Sequence, residues 1–234
     1  MNTSLTVLPR TAHIWIAEWA HGTFDGPSLL SLLSPDEIKR AACLQSPLHK
    51  QRFIFSRSFL RKILSRYTGL APEQLVFDYG AHGKPYLQNT IHDLRFNISH
   101  SADITLFAIT IEQDIGVDIQ KIKSYFREDI VKRFFSPQEQ AQLMALTESA
   151  RASAFYQIWS MKEALIKTIG QGLLTTPLAD FSINLSSLKE AVLLGCSQFY
   201  VEKIAVPDGY QAAVCTEDIL EKVVMQSLPM NASS

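Results

Sequence analysis

The sequence has 234 residues, 47% hydrophobic and 19% charged, with 22 Lys+Arg against 23 Asp+Glu and a formal charge of −1. A chain of this length buries roughly 70–75% of its unfolded surface unaided, so the composition fits an ordinary soluble globular protein and excludes the broad basic footprint of a duplex-DNA binder. The longest apolar run, Ile104 to Ile111, is too short for a membrane helix. Residues 1–10 show no basic stretch followed by an apolar core, so no secretory leader is expected, and the scattered cysteines Cys43, Cys196 and Cys215 suit a reducing compartment. A cytoplasmic protein with no nucleic-acid or membrane partner is expected.

In chain order, His13 to Trp19 alternates like a strand, and Gly22 to Pro27 breaks the pattern. Ser34-Pro35-Asp36-Glu37 predicts a helix start, with Ser as cap, Pro at the first helical position and Glu closing a capping box. A long helix is expected from about Leu48 to Tyr67, ending before Gly69. Gln74 to Tyr79 reads as a strand, Gly80 to Pro85 as a turn, and Leu94–Ile98 and Ile104–Ile111 as two further strands. Ile115–Gln120 then opens what looks like a second round. Ser136-Pro137-Gln138-Glu139 repeats the helix start 102 residues after Ser34, Phe155 echoes Phe53 in a long helix, and Gly172-Leu173 echoes Gly69-Leu70. Strand-like Phe181–Leu185 follows, then strands Phe199–Ala205 and Tyr210–Thr216 around the turn Val206 to Gly209, with a frayed tail from Ser227. The matching order predicts an α/β (α+β) chain built as a pseudo-dimer of two similar α/β halves, residues 1–113 and 114–234.

Four segments offer chemistry. In Ile115-Gly116-Val117-Asp118-Ile119-Gln120, Val117 and Ile119 face one side of a strand while Asp118 and Gln120 face the other. Asp118 therefore either faces water at the sheet margin or has a cation, helix end or cleft to meet it. In Phe155 to Lys167, helical spacing puts Trp159, Glu163 and Lys167 on one stripe, as a solvated Glu-to-Lys pair or as part of a site. Lys162 lies on another face. Ser99 and His100, in Asn97-Ile98-Ser99-His100-Ser101, offer short donors suited to phosphate, and Gly83-Lys84-Pro85 presents a lysine on a stiff turn. No Walker loop, GxGxxG, HExxH or GxSxG is present.

In this order and spacing the segments resemble the Sfp-type 4'-phosphopantetheinyl transferases. The likeness rests on Ile115-Gly116-Val117-Asp118, on Trp159-Ser160-Met161-Lys162-Glu163-Ala164-Leu165-Ile166-Lys167, and on the upstream Gly83-Lys84-Pro85 and Asn97-Ile98-Ser99-His100-Ser101. It implies an enzyme that transfers the phosphopantetheine arm of coenzyme A to a serine of an apo acyl or peptidyl carrier protein, with coenzyme A bound between the two halves of a monomer. It further implies Mg²⁺ or Mn²⁺ held by Asp118, Glu163 and Gln120, with Asp118, Glu163 and Lys167 as the catalytic residues. Arg40, Arg52, Lys84, Pro85, Ser99, His100 and Lys162 are implied at coenzyme A. Gln120 departs from the acidic residue many members carry there, which implies weaker metal binding without coenzyme A. Between the two main motifs, Lys121, Lys123, Arg127, Lys132 and Arg133, with Phe126, Phe134 and Phe135, are expected to steer an acidic carrier.

Overall fold

The computed structural model describes residues 5–19, 26–80, 83–88, 93–172 and 175–228. Residues 22–25 of the expected break, 81 and 82 of the expected turn, and Leu173 lie outside them. The first half runs β1 (Thr11–Glu18), α1 (Gly26–Leu30), α2 (Pro35–Ala42), α3 (Pro47–Thr68), β2 (Phe77–Tyr79), β3 (Pro85–Leu87), β4 (Leu94–Ser101) and β5 (Ile104–Ile111). The second runs β6 (Ile115–Lys121), α4 (Glu128–Phe134), α5 (Pro137–Met144), α6 (Glu148–Ile169), β7 (Lys189–Leu194), β8 (Ser197–Lys203), β9 (Tyr210–Thr216) and β10 (Lys222–Ser227).

Both expected helix starts form full capping boxes. The Ser34 hydroxyl accepts from the Glu37 N–H at 3.3 Å while Glu37 accepts from the Ser34 N–H at 3.0 Å. Ser136 and Glu139 repeat this at 3.2 and 2.7 Å. The long helices α3 and α6 each span 22 residues and each stops at a glycine in the left-handed region, Gly69 and Gly170.

Two four-stranded sheets have the orders β10-β1-β5-β4 and β6-β9-β8-β7. In each, three antiparallel neighbours follow one scheme: the first strand of the half, then its last hairpin strand, then the strand before that. Each sheet buries both faces, which explains runs such as Ile104–Ile111. Phe107 and Ile109 pack beneath α3, whereas Leu106 and Ala108 meet Val117, Ile119 and Val214 of the other sheet. Ala213 and Cys215 turn the opposite way, onto α6. The layers are therefore α3, sheet, sheet, α6.

Four differences from the sequence reading have physical causes. Phe181–Leu185 is not a strand, because its N–H groups are taken by side chains. Ile183 N–H donates to Glu139 and Leu185 N–H to Gln142, at 2.8 and 3.1 Å. The strand beside β8 is instead β7. Gln74 ends a 3-10 turn, Pro72–Gln74, set by the proline. Ahead of the expected tail lies a strand the sequence reading left out, β10, which runs parallel to β1 with Ala12 opposite Val223, so residues 222–227 join the first half's sheet.

Candidate active site

Val117 and Ile119 belong to the core between the sheets, so Gly116 and Asp118 face α6. The contact at Gly116 is very close. A Cβ there would lie 2.1 Å from the Ala164 carbonyl oxygen and 2.5 Å from the Thr168 nitrogen. Glycine thus lets α6 lie directly on β6, bringing Glu163 and Lys167 beside Asp118.

Asp118 is almost fully buried and completely engaged. Its Oδ1 accepts from Lys167 Nζ at 2.7 Å and Ser99 Oγ at 2.8 Å, and its Oδ2 accepts from Gln120 Nε2 at 2.8 Å. Lys167 also donates to Ser99 Oγ and the Val117 carbonyl. Glu163 has no such compensation. Burial, reinforced by the Asp118 charge and opposed by Lys167, pushes its carboxyl up to about 7. A cation would relieve two crowded carboxylates. Among the described residues no three His, Cys, Asp or Glu side chains gather to hold a metal. The donors available for a hard divalent ion are Asp118, Glu163 and, with its amide turned to present oxygen, Gln120. An oxygen-only set of this kind fits Mg²⁺ or Mn²⁺.

The Asn-x-Ser-x-Ser spacing on β4 has a role that sequence reading missed. Asn97, Ser99 and Ser101, at period two, accept from the N–H groups of Val117, Ile119 and Lys121 on β6 at 3.0, 3.3 and 2.9 Å. Side chains therefore fasten the edge strand of one sheet to that of the other. Ser99 serves both purposes at once, as a rung of this seam and as a partner of Asp118 and Lys167.

The opposite face of β4 opens into a cavity of about 410 Å³ lined by Arg40, Arg52, Phe53, Arg57, Pro85 and His100 among others. The lining belongs to the first half, with Asn97 and His100 at the seam. Among the described residues no carboxylate lines it. Among the described residues the buried Nη1 of Arg57 and the buried Nε of Arg52 have no hydrogen-bond partner, which leaves donors for an anion. Arg57 went unrecognised in the sequence; the arginine density of α3, at 52, 57 and 61, was the available signal. His100 is depressed below its ordinary 6.5 by the protein crowding its ring and by the Lys167 and Arg52 cations. It stands between the cavity and the carboxylate centre.

Comparison with known proteins decides the family. The 4'-phosphopantetheinyl transferase superfamily matches residues 114–215, and the N-terminal region of a 4'-phosphopantetheinyl transferase matches residues 17–112. The transferase HetI of Nostoc sp. is 32% identical over 214 residues, covering 90% of both chains. The transferase Sfp of Bacillus subtilis is 34% identical over 206 residues, covering 85% of this chain and 89% of its own. The chain belongs to the 4'-phosphopantetheinyl transferase superfamily.

Two lysines of this transferase that the resemblance implies at coenzyme A are held away from the arginine cavity. Lys162 is fully buried on the far side of α6, paired with Glu139 at 2.9 Å and bonded to the Leu178 and Phe181 carbonyls, so it does not reach the arginine cavity. Lys84 turns away from the arginine cavity, donating to the Thr168 carbonyl at 3.1 Å, although its neighbour Pro85 lines the cavity. In the segment after Gln120, Phe135 is core and Phe126 and Phe134 pack against the same core. Arg127 pairs with Asp129 and Lys132 with Glu128. Lys121, Lys123 and Arg133 are exposed there, lying over the rings of Tyr210, Tyr125 and Phe134, and Tyr125 is 61% exposed.

Proposed function

We propose that this transferase moves the 4'-phosphopantetheine arm of coenzyme A onto a serine hydroxyl of an apo acyl or peptidyl carrier protein, releasing adenosine 3',5'-bisphosphate. The observation that carries the reading is adjacency. An arginine-lined cavity suited to a phosphate lies against a buried centre of two carboxylates and a lysine, with His100 beside both. The 3'-phosphate would occupy the cavity among Arg40, Arg52 and Arg57, and the pyrophosphate would lie across the seam toward Asp118.

Glu163, a carboxylate beside Asp118 and Lys167, would accept the serine proton, directly or through a water. The serine oxygen then forms its bond to phosphorus as the pyrophosphate P–O bond breaks. Lys167, fixed by Asp118, Ser99 and the Val117 carbonyl, holds positive charge where the departing phosphate gains negative charge. A divalent metal on Asp118, Glu163 and Gln120 would supply charge neutralisation and orientation of the pyrophosphate. The exposed Lys121, Lys123, Arg133 and Tyr125 would meet an acidic carrier.

The parallel strand order, paired 22-residue helices and doubled capping boxes support a pseudo-dimer of two α/β halves, 1–113 and 114–234, with β10 reaching back to the first. Such a monomer completes the site without a second subunit, and the cytoplasm is its proposed location. The test is the intact mass of apo carrier proteins after incubation with enzyme, coenzyme A and Mg²⁺. A phosphopantetheine-sized gain that disappears with a chelator, and in Asp118→Ala and Glu163→Ala, is expected. No gain on any carrier, although coenzyme A binds, would overturn the reading.

A further inference from the structure

The turn that carries Lys84 and the helix that carries Glu163 belong to different halves, and the Lys84 side chain joins them. Its Nζ donates to the Thr168 carbonyl at 3.1 Å and to Asp114 Oδ1 at 3.5 Å. Thr168 lies in the last turn of α6, where carbonyls lack intrahelical donors and the helix dipole is negative. The Gly170 amide already returns to the Ile166 carbonyl, and Lys84 supplies the donor for Thr168. The aliphatic stem packs on the same helix end, its Cδ 3.8 Å from where a Gly170 Cβ would stand. Asp114, between β5 and β6, is itself held by Arg95 at 3.6 Å, and its N–H donates to Glu217. One residue onward, Pro85 lines the arginine cavity.

We infer that Lys84 is a positioning residue: it clamps the cavity wall formed by its turn to the C-terminal end of the helix bearing Glu163 and Lys167, and it does not bind the 3'-phosphate. The inference rests on the proposed coenzyme A reading for its kinetic consequence, but the clamp itself can be read in the free protein.

The clamp and a phosphate contact make opposite predictions for coenzyme A and 3'-dephospho-coenzyme A. A clamp sets the shape of the cavity for both, so Lys84→Met should raise KM for each by the same factor, about tenfold. The loss should fall on KM and not on kcat, as expected when binding common to ground and transition states is removed. Lys84→Arg, which keeps a cation able to reach Thr168 and Asp114, should restore KM. In the free protein, hydrogen exchange should quicken together at residues 83–86 and at 168–170 in Lys84→Met. A KM rise confined to coenzyme A that still carries its 3'-phosphate would make Lys84 a phosphate ligand and overturn the inference. Unchanged exchange at both segments, or a lowered melting temperature with KM unmoved, would overturn it too. If the unaltered enzyme transferred nothing to any carrier, the proposed function would fail while the exchange data still judged the clamp.

Discussion

Arg61 and Lys162 make the same set of contacts in the two halves of the molecule. Arg61 Nε pairs with Glu37 at 2.8 Å, and its Nη1 donates to the carbonyls of Pro72 and Leu75. Lys162 pairs with Glu139 at 2.9 Å and donates to the carbonyls of Leu178 and Phe181. Each cation lies over a phenylalanine, Phe77 at 4.9 Å and Phe181 at 4.2 Å. Each glutamate is also the acid of a capping box. One ion pair thus ties a short helix, a long helix and the segment after the long helix in each half.

From this follows a prediction for Lys162. Burial pushes Glu139 up and Lys162 down, each toward its neutral form, while the partner charge opposes the shift. Lys162→Met leaves Glu139 buried without its cation, so it should cost about 3–5 kcal/mol in a urea titration. Adding Glu139→Gln should recover part of that loss. Coenzyme A affinity of the folded fraction should be unchanged, because Lys162 faces away from the cavity. Weakened affinity at full folding would return Lys162 to the binding set.

Gly116 carries the second prediction. A methyl at this position meets backbone on α6, which cannot rotate aside. Gly116→Ala must push the helix off β6 and carry Glu163 and Lys167 away from Asp118. A stability loss of about 1–3 kcal/mol or more is expected, together with a drop in turnover larger than the unfolded fraction explains. Denaturant unfolding and transfer assays on the same sample would separate the two effects.

How much of this was legible in the sequence depended on where the signal lay. Ser34, Glu37, Ser136 and Glu139 declared their helices through local capping chemistry, and alternation in Ile115–Gln120 placed Asp118 on the face that meets α6. Strand β10 was hidden because it exists through pairing with β1, more than 200 residues away. Phe181–Leu185 looked like a strand because burial gives it strand-like apolar residues, yet glutamate and glutamine side chains satisfy its backbone. Spacing brought Lys84 and Lys162 next to the right motifs without revealing where their long side chains turn. Asn97, Ser99 and Ser101 concealed a seam, because polar residues at period two read as a solvent face until another strand's N–H groups stand opposite.

His13 yields a pH prediction. Its Nδ1 and the Trp15 Nε1 both meet the Tyr67 hydroxyl at 2.8 Å. The indole can only donate, which leaves the phenolic proton for a neutral imidazole. Burial, with the Lys222 charge behind it, lowers His13 from its ordinary 6.5. The fold therefore resists a proton that the unfolded chain accepts. The His13 contribution to stability should be full above the unfolded value and be lost as pH drops below it. His100 is lowered as well, and Glu163, pushed up to about 7, titrates with the opposite sign over the same range, so the reading is the difference between proteins: on acidification the urea midpoint of His13→Gln should fall less, or rise more, than the parent's. An unchanged slope in that variant would refute the assignment.

Gln120 gives the last prediction, and it concerns metal affinity apart from turnover. Its amide donates to Asp118 Oδ2, so metal binding has to break that bond and turn the amide to present oxygen. The site then offers two negative charges, one of them on a carboxyl held near neutrality at about 7. Gln120→Glu adds a third charge and removes the amide bond. Ligand charge tunes divalent affinity by decades, so the variant should bind Mn²⁺ about tenfold more tightly in the absence of coenzyme A. Electron paramagnetic resonance of free Mn²⁺ reads this directly. Crowding of three carboxylates should also lower the melting temperature of the metal-free variant below that of the parent, and added Mg²⁺ should reverse the order. Equal Mn²⁺ affinities for parent and variant would mean that residue 120 does not contribute to the metal site.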